Sequence, residues 1–169
     1  VYSAVRGDEK VALKVLRADL ALSERENRRF MEEVERMRRL RHPGLVSVVD
    51  AGVLPDGRPY LAMPLLEGEP LASRLSRGKM PIDEALATFD ALADAVQALH
   101  DAGLLHRDIK PENIFVPTAT SIHAPRVVLL DLGIARDVSS EASTTTQAGV
   151  VRGTPAYMAP ERFFGTPAS

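Results

Sequence analysis

A short polar segment near the middle of the chain limits what it can fold into more than any other feature. Residues 106–113 read His-Arg-Asp-Ile-Lys-Pro-Glu-Asn and stand directly before the apolar run Ile114-Phe115-Val116. Asp108 and Asn113 are five positions apart, with Lys110 between them. Such residues often cap turns, but few structural needs explain a carboxylate, an ammonium group and an amide together. The segment predicts a loop that brings these groups into one site, immediately before a buried strand.

Three further motifs stand on either side of this segment. Val11-Ala12-Leu13-Lys14 lies in an apolar run near the N-terminus, and Asp131-Leu132-Gly133 follows the apolar residues 127–130. The third motif, Gly-Thr-Pro-Ala-Tyr-Met-Ala-Pro-Glu, occupies residues 153–161. Any one of these motifs alone is weak, whereas together and in this order they are highly specific.

The residues before position 67 have the pattern of a small strand-rich unit. Residues 1–5 and 11–16 are β-rich and flank a polar turn that contains Gly7, which predicts a hairpin. Ser23-Glu24-Arg25-Glu26 has the capping-box pattern, and apolar residues then recur at helical spacing, so we predict a helix over residues 24–41. Residues 45–53 and 60–66 predict a second hairpin around a Pro-Asp-Gly turn.

The residues after position 67 have a mainly helical pattern. Glu67-Gly68-Glu69-Pro70 is expected to be a linker, followed by a short helix over residues 71–77. A long amphipathic helix is predicted from Pro81 to the Asp-Ala-Gly at residues 101–103. Its predicted apolar stripe consists of Ile82, Leu86, Phe89, Ala93, Val96 and Leu99. Residues 114–116 and 127–130 predict short buried strands, and residues 139–147 a flexible loop.

Composition excludes several classes of function. The 169 residues include no cysteine, which excludes disulfides, thiolate zinc sites and a cysteine nucleophile. His42, His100 and His106 are expected to be structural, since no second histidine is spaced for zinc. The formal net charge of −2 gives no basic field for nucleic acid. No apolar run reaches the length of about 18 residues that spans a bilayer, so we expect a cytoplasmic segment without direct membrane contact, which is compatible with a membrane-anchored parent protein.

The ordered motifs resemble the eukaryotic-like serine/threonine protein kinase family in its bacterial form. The resemblance covers the chain from just after the family's glycine-rich loop to just after its Ala-Pro-Glu motif. It implies an α+β, bilobal protein-kinase-like fold. Residues 1–66 would be a partial small lobe with the hinge, lacking the first strand and the glycine-rich loop, and residues 67–169 a partial helical large lobe. We therefore expect a kinase domain that is truncated at both ends.

The resemblance assigns a role in phosphoryl transfer to each matched residue. The reaction implied is transfer of the ATP γ-phosphoryl group to Ser or Thr hydroxyls of proteins. Lys14 would hold the α- and β-phosphates and form an ion pair with Glu33 of the first helix. Asp108 would accept or orient the proton of the substrate hydroxyl, and Lys110 would contact the γ-phosphate.

The cofactors implied are ATP and Mg²⁺, with Mn²⁺ as a substitute. Asn113 and Asp131 would supply oxygen ligands to the metal. Met63 would be the gatekeeper of an apolar adenine slot, next to the Pro64 carbonyl and the Leu66 backbone. The residues expected at the ATP site are Val1, Ala12, Lys14, Met63, Pro64, Leu66, Asn113, Phe115 and Asp131.

The residues between the Asp-Leu-Gly and Ala-Pro-Glu motifs resemble a kinase activation segment. Its candidate phosphate acceptors are Ser143, Thr144, Thr145 and Thr146, and an unmodified polar loop is an equally good interpretation for each of them. In the family, an arginine at the place of Arg107 often pairs with such a phosphate. Thr154 is expected to fix the substrate-docking loop. Phosphorylation of its own activation segment would involve self-association of the kinase.

Two other interpretations stay open. A catalytically weak or inactive nucleotide-binding module with a regulatory role is favoured by the truncated ends, although Lys14, Asp108, Asn113 and Asp131 are intact. A small-molecule phosphotransferase of kinase-like fold shares the Asp-to-Asn spacing but lacks the motif at residues 153–161. Leu132, in place of the commoner phenylalanine, is expected to be tolerated because it remains apolar.

Overall fold

The computed structural model describes residues 1–16, 24–118, 124–131 and 155–157. The first half contains strands β1 (Tyr2–Arg6) and β2 (Glu9–Val15), helix α1 (Glu24–Arg39), and strands β3 (Asp50–Val53) and β4 (Pro59–Pro64). Its four strands form one antiparallel sheet in the order β1-β2-β4-β3. The first predicted hairpin and the predicted first helix are therefore present, with ends that differ by a few residues, and the second hairpin is present with a first strand that begins at Asp50.

The second half contains strand β5 (Gly68–Pro70), helices α2 (Leu71–Ser76) and α3 (Ile82–Asp101), and strands β6 (Ile114–Pro117) and β7 (Val128–Leu129). These strands form a second antiparallel sheet in the order β5-β6-β7. Single 3₁₀ turns lie at Pro111–Asn113 and Pro155–Tyr157. The chain thus combines a strand-rich first half with a mixed second half, as an α+β fold requires.

One apolar core runs through both halves. Helix α1 buries Phe30, Val34 and Met37, which follow each other at the helical spacing of three and four residues. The same cluster contains Leu99 of α3 and Leu129 of β7, which are almost completely buried. Each such side chain contributes about 1.5–3 kcal/mol to stability when it leaves water. The continuous core fixes the strand-rich half against the strands and helix of the second half.

The predicted strand over residues 45–53 is mostly wrong. Asp50–Val53 pairs with β4 and the Val49 amide donates to the Ala62 carbonyl at 2.9 Å, whereas Leu45 makes an isolated parallel bridge to Leu129 in the second half. The amide of Val46 donates to the Leu129 carbonyl at 3.2 Å, and the Leu129 amide donates to the Gly44 carbonyl at 2.8 Å. The Gly44 carbonyl and the Val46 amide are therefore bonded to β7 and not to β4. Composition alone cannot distinguish these two partners.

The predicted apolar stripe of α3 is wrong except near its C-terminal end, because Ala93 is exposed as well as the three stripe residues before it. Ile82, Leu86 and Phe89 are 76%, 59% and 67% exposed among the described residues. The buried positions are Thr88, Ala95 and Leu99, of which the predicted stripe contains only Leu99, and they share one helical face. Small side chains on this face let α3 approach its neighbours closely, and the hydroxyl of Thr88 lies 4.0 Å from the sulfur of Met80. The large apolar side chains of the other face are exposed among the described residues.

Residues 67–70, expected to be a linker, include β5. Gly68 pairs with Pro117 in this sheet and has φ +143°, a conformation that other residues rarely adopt. A Cβ atom at this position would lie 2.2 Å from the carbonyl oxygen of Val116 and 2.8 Å from the ring of Phe115. Only glycine allows this approach. The turn that leaves the first half is thereby fixed against β6.

We expect Gly68→Ala to destabilise the fold more than the matched change Gly78→Ala. Gly78 has the similar φ of +136°, but a Cβ there would meet nothing within 4 Å. Both variants incur backbone strain of about 1–3 kcal/mol, and overpacking adds about 1–3 kcal/mol at Gly68 alone. Urea denaturation of both variants measures the difference. Equal losses in the free energy of unfolding would contradict the close approach described for Gly68.

Candidate active site

The segment at residues 106–113 folds back on itself so that its polar side chains meet. The amide Nδ2 of Asn113 donates to the main-chain carbonyl of Asp108 at 2.8 Å and to its carboxylate Oδ2 at 3.1 Å. The ammonium group of Lys110 lies 3.2 Å from the same Oδ2 atom. The 3₁₀ turn begins at Pro111 and returns the chain toward Asp108. The main-chain amide of Asn113 closes this turn by donating to the Lys110 carbonyl at 2.9 Å.

His106 joins this loop to the strand segment that precedes Asp131. Its ring is almost fully buried, and Nδ1 accepts a hydrogen bond from the Asp108 amide at 3.3 Å. Nε2 therefore carries the proton and donates to the Leu130 carbonyl at 2.7 Å. The Leu130 amide in turn donates to the Asn113 carbonyl at 2.8 Å. The structural role predicted for His106 is confirmed, because its ring holds the loop of residues 106–113 next to the segment that leads to Asp131.

An ion pair connects the two halves across the cleft. Lys14 Nζ on β2 lies 2.6 Å from Oδ1 of Asp131, and both side chains are partly exposed, at 27% and 37%. Lys14 is paired in register with Leu61 of β4, so the pairing of these two strands fixes the position of Lys14 in the sheet. Two residues separated by more than a hundred positions in the sequence thus face each other in one cleft.

Glu33 differs from the arrangement that the resemblance implied. Among the described side chains, Lys14 forms its ion pair with Asp131 and not with Glu33. Burial raises the pKa of Glu33 above its ordinary value, and the positive charges of Arg107 and Arg36 oppose part of that shift. The positive charge of Arg107, the residue that precedes Asp108, therefore acts on the pKa of the Glu33 carboxylate. Tertiary packing of α1 decides this pairing, which residue spacing cannot reveal.

Unusual backbone conformations coincide with the two motif positions in this cleft. In the described ranges, positive φ angles at non-glycine residues occur only at Arg107, at 61°, and Asp131, at 56°. Such conformations cost of order 1–3 kcal/mol each and persist where surrounding structure enforces them. Arg107 precedes Asp108, and Asp131 follows the strand segment that His106 holds. Backbone strain therefore falls on the residue before Asp108 and on Asp131, the partner of Lys14.

The oxygen atoms at this cleft fit a hard divalent cation. Because Nδ2 of Asn113 is used twice as a donor, its Oδ1 is left as the atom that can face a metal ion. Asp131 adds a carboxylate, and both groups are ligand types that magnesium prefers. In the part of the chain that the structure describes, no group of three His, Asp or Glu side chains could hold a metal by itself. Such a cation would need further oxygen ligands, as phosphates provide.

The residues expected around adenine lie at the junction of the two halves. Ala12 and Met63 are directly paired between β2 and β4, and Met63 is buried. Pro64 ends β4, and Leu66 packs against the core a short distance further on. Phe115 of β6 is half-buried. Val1 lies before β1 and is 80% exposed.

Sequence reasoning missed two glycines that shape this junction. Gly68 lets β5 approach the ring of Phe115, and Gly44 allows a similarly close approach to α3. The signals were present as Glu-Gly-Glu and His-Pro-Gly, which were assigned to a linker and a helix end. The sequence expectations for Ser143, Thr144, Thr145, Thr146 and Thr154, and that for Leu132, lie outside the described residues.

None of the described helices is long and apolar enough to cross a membrane. This finding concerns the described part of the chain alone.

Comparison with known proteins gives close relatives in bacteria. The chain is 42% identical over 157 residues to the serine/threonine-protein kinase pkn2 of Myxococcus xanthus, covering 92% of this chain and 19% of that protein. It is 40% identical over 177 residues to the serine/threonine-protein kinase PknA of Mycobacterium tuberculosis, covering 100% of this chain and 39% of PknA. The chain therefore spans well under half the length of these curated relatives.

A solved structure shares the fold. The kinase domain of Mycobacterium tuberculosis PknI superimposes with a TM-score of 0.71 at 30% sequence identity, covering 94% of this chain and 56% of that one. The predicted α+β, protein-kinase-like fold is confirmed by this likeness. The model of the protein kinase domain family matches residues 1–168. With its motifs, its fold and its relatives in agreement, the chain belongs to the protein kinase domain family.

Proposed function

We propose that this chain carries the catalytic centre of an ATP-dependent protein serine/threonine kinase. The observation that supports it most is the joined arrangement of Asp108, Lys110 and Asn113 on one loop. That loop is bonded to the strand segment that ends at Asp131, and Asp131 lies 2.6 Å from Lys14. An acceptor for a hydroxyl proton, two cations and two oxygen ligands thus face one cleft, which are the groups that phosphoryl transfer requires.

In the proposed reaction, the substrate hydroxyl oxygen forms a bond to the γ-phosphorus of ATP. The bond from that phosphorus to the β,γ-bridging oxygen breaks, and ADP leaves with the electron pair. Asp108 orients the hydroxyl and accepts its proton. Lys110, 3.2 Å from Asp108, holds its positive charge beside the transferred group. Lys14 binds the α- and β-phosphates from the opposite side of the cleft.

Asn113 and Asp131 are the residues that would hold the metal ion. Protein kinases in general use ATP with a divalent metal, and we propose Mg²⁺, with Mn²⁺ able to substitute. The metal neutralises phosphate charge when bound. Asn113 is fixed for this task because its amide nitrogen is bonded to Asp108, so its oxygen cannot turn away without breaking both bonds.

Glu33 is proposed to orient Lys14 during catalysis, after an exchange of partners. In the structure, Lys14 pairs with Asp131, while Arg107 and Arg36 act on the Glu33 carboxylate. Phosphates and a metal would compete for both Lys14 and Asp131, because they carry the larger opposite charges. Lys14 would then be able to pair with Glu33 of α1, which belongs to the same half of the chain. Val1, Ala12, Met63, Pro64, Leu66 and Phe115 are proposed to enclose the adenine.

The substrates are proposed to be proteins with Ser or Thr acceptors, including the chain itself. Lys110 follows the pattern of serine/threonine kinases, and the relatives are named as such. Self-association would bring Ser143, Thr144, Thr145 or Thr146 to the cleft of a second copy, with Thr154 in the docking loop. A cytoplasmic location, where ATP is available, belongs to the same proposal.

Asp108→Asn is expected to lower phosphoryl transfer by about 10²–10⁴-fold, because asparagine cannot accept the hydroxyl proton. ATP binding should persist, since Asn at this position keeps the oxygen that Asn113 and Lys110 contact. Peptide mass spectrometry after incubation of the full-length natural polypeptide with Mg²⁺ and ATP measures transfer, and calorimetry measures binding.

Asp101→Asn is the matched control, because Asp101 is exposed on α3 and bonded only to Gln97 among the contacts described. It should transfer phosphate like the parent. Undiminished transfer by Asp108→Asn would refute the assigned mechanism. ATP binding without transfer in the parent itself would select the regulatory, non-catalytic interpretation.

Glu33→Gln is expected to remove a pH-dependent cost of folding. Because burial raises the folded-state pKa of Glu33, the wild-type fold is favoured below the unfolded-state pKa and loses stability as pH rises through the folded-state value. Glutamine carries no charge to bury, so the variant should gain stability relative to wild type over that range while transfer falls.

Denaturation at several pH values checks the Glu33 prediction, with Glu32→Gln as control because Glu32 is exposed on the same helix. The control should follow the wild-type pH profile. A wild-type profile for Glu33→Gln would show that the Glu33 carboxyl is not perturbed by burial.

A further inference from the structure

The five residues at positions 42–46, here called the tether, connect α1 to the rest of the fold. They follow the last turn of α1 and precede β3, and their sequence is His-Pro-Gly-Leu-Val. On one side the tether contacts α3, and on the other it is bonded to β7. It therefore links the helix that carries Glu33 with the strand that leads to Asp131.

His42 holds the tether to α3 through a defined tautomer. Its Nδ1 accepts a hydrogen bond from the Gly44 amide at 3.1 Å, so the ring proton is on Nε2. Nε2 lies 3.1 Å from Oδ2 of Asp94 and donates to it. The His42 side chain is 19% exposed, whereas Asp94 is 76% exposed. One ring thus closes the turn of the tether and binds it to a surface carboxylate.

Gly44 brings the tether into direct contact with α3. A Cβ atom at Gly44 would lie 2.9 Å from Cβ of Ala95, the residue that follows Asp94. Ala95 is completely buried at this contact. The hydrogen bond from His42 and the contact at Gly44 therefore act on the same turn of α3, and together they fix the distance between tether and helix.

The opposite side of the tether determines where β7 lies. Leu129 forms two backbone hydrogen bonds with the tether. Its carbonyl accepts from the Val46 amide at 3.2 Å, and its amide donates to the Gly44 carbonyl at 2.8 Å. Asp131 is two residues further along the chain. A displacement of the tether from α3 would therefore move β7, and with it the carboxylate that we assign to the metal.

We propose that His42 and Asp94 are positioning residues for phosphoryl transfer, acting through the tether on Asp131. Their hydrogen bond keeps the tether against α3 and thereby holds Asp131 in the position that metal binding requires. Neither side chain touches substrate or nucleotide. The inference rests on the proposed function, because it concerns the metal ligand of that same site.

The test compares Asp94→Ala, Asp94→Asn and Asp90→Ala in the full-length natural polypeptide. Asp90 is an exposed carboxylate one turn earlier on α3 and serves as the control. Two quantities are measured: the Mg²⁺ concentration that gives half-maximal transfer, and the amide hydrogen-exchange protection of Val46 and Leu129 without nucleotide or metal. The second quantity does not depend on activity.

We expect Asp94→Ala to raise the half-maximal Mg²⁺ concentration by about threefold and to lower amide protection by a similar factor, as loss of one partly exposed hydrogen bond to a charged group does. Asp94→Asn should restore wild-type values, since its amide oxygen can accept from Nε2–H of His42. Asp90→Ala should match wild type in both measurements.

Equal Mg²⁺ dependence and equal protection in Asp94→Ala and Asp90→Ala would overturn the inference. A reduced maximal rate without a change in Mg²⁺ dependence would also overturn it, because a general loss of folded protein has that effect. If Asp94→Ala does not fold, His42→Asn provides the second test: its amide oxygen can accept from the Gly44 amide, but its shorter side chain has no donor at the position of Nε2 to reach Asp94. Failure of the proposed function would give a different result from failure of this inference, because Asp108→Asn would then transfer phosphate as the wild type does.

Discussion

Backbone hydrogen bonds at Leu129 and Leu130 determine where Asp131 lies relative to the loop that carries Asp108 and Asn113. Leu129 is bonded on one side to residues 44 and 46, and it is paired with Ile114 of β6 on the other. Leu130 exchanges its two bonds with Asn113 and the ring of His106. Because Leu129 is completely buried, an unmade bond there would cost about 1–3 kcal/mol with no water to replace it. The position of Asp131 is therefore set by main-chain geometry, before any charge is considered.

The charges in the cleft are arranged as pairs that phosphate can reorganise. Lys14 faces Asp131, and Lys110 faces Asp108, with side chains that are 17–37% exposed. Partial burial strengthens each pair relative to water and keeps the lysines from turning into solvent. A polyphosphate with a divalent metal offers both lysines stronger partners and gives Asp131 a stronger cation. The same pairs thus stabilise the cleft and keep its groups in position for the proposed reaction.

The local part of the site could be predicted from the sequence, and the tertiary part only in outline. Asp108, Lys110 and Asn113 lie within a few residues of one another, so turn chemistry alone brings them together. The partner of Lys14 could not be predicted, because the rotation of α1 depends on contacts such as that of Arg38 with Asp50. Composition also predicts that residues 45–49 continue the strand next to β4, whereas Leu45 and Val46 contact Leu129 of β7. On α3, Thr88 and Ala95 gave little hydrophobic signal although they mark the buried face.

Binding of one metal ion by Asp131 and Asn113, together with the nucleotide, is the central proposal for this site. Calorimetric titration of ATP with and without Mg²⁺ tests this claim directly in wild type and in Asp131→Asn. We expect Mg²⁺ to strengthen ATP binding by wild type and to have little effect on the variant, which lacks the carboxylate charge. The same strengthening by Mg²⁺ in both proteins would contradict it.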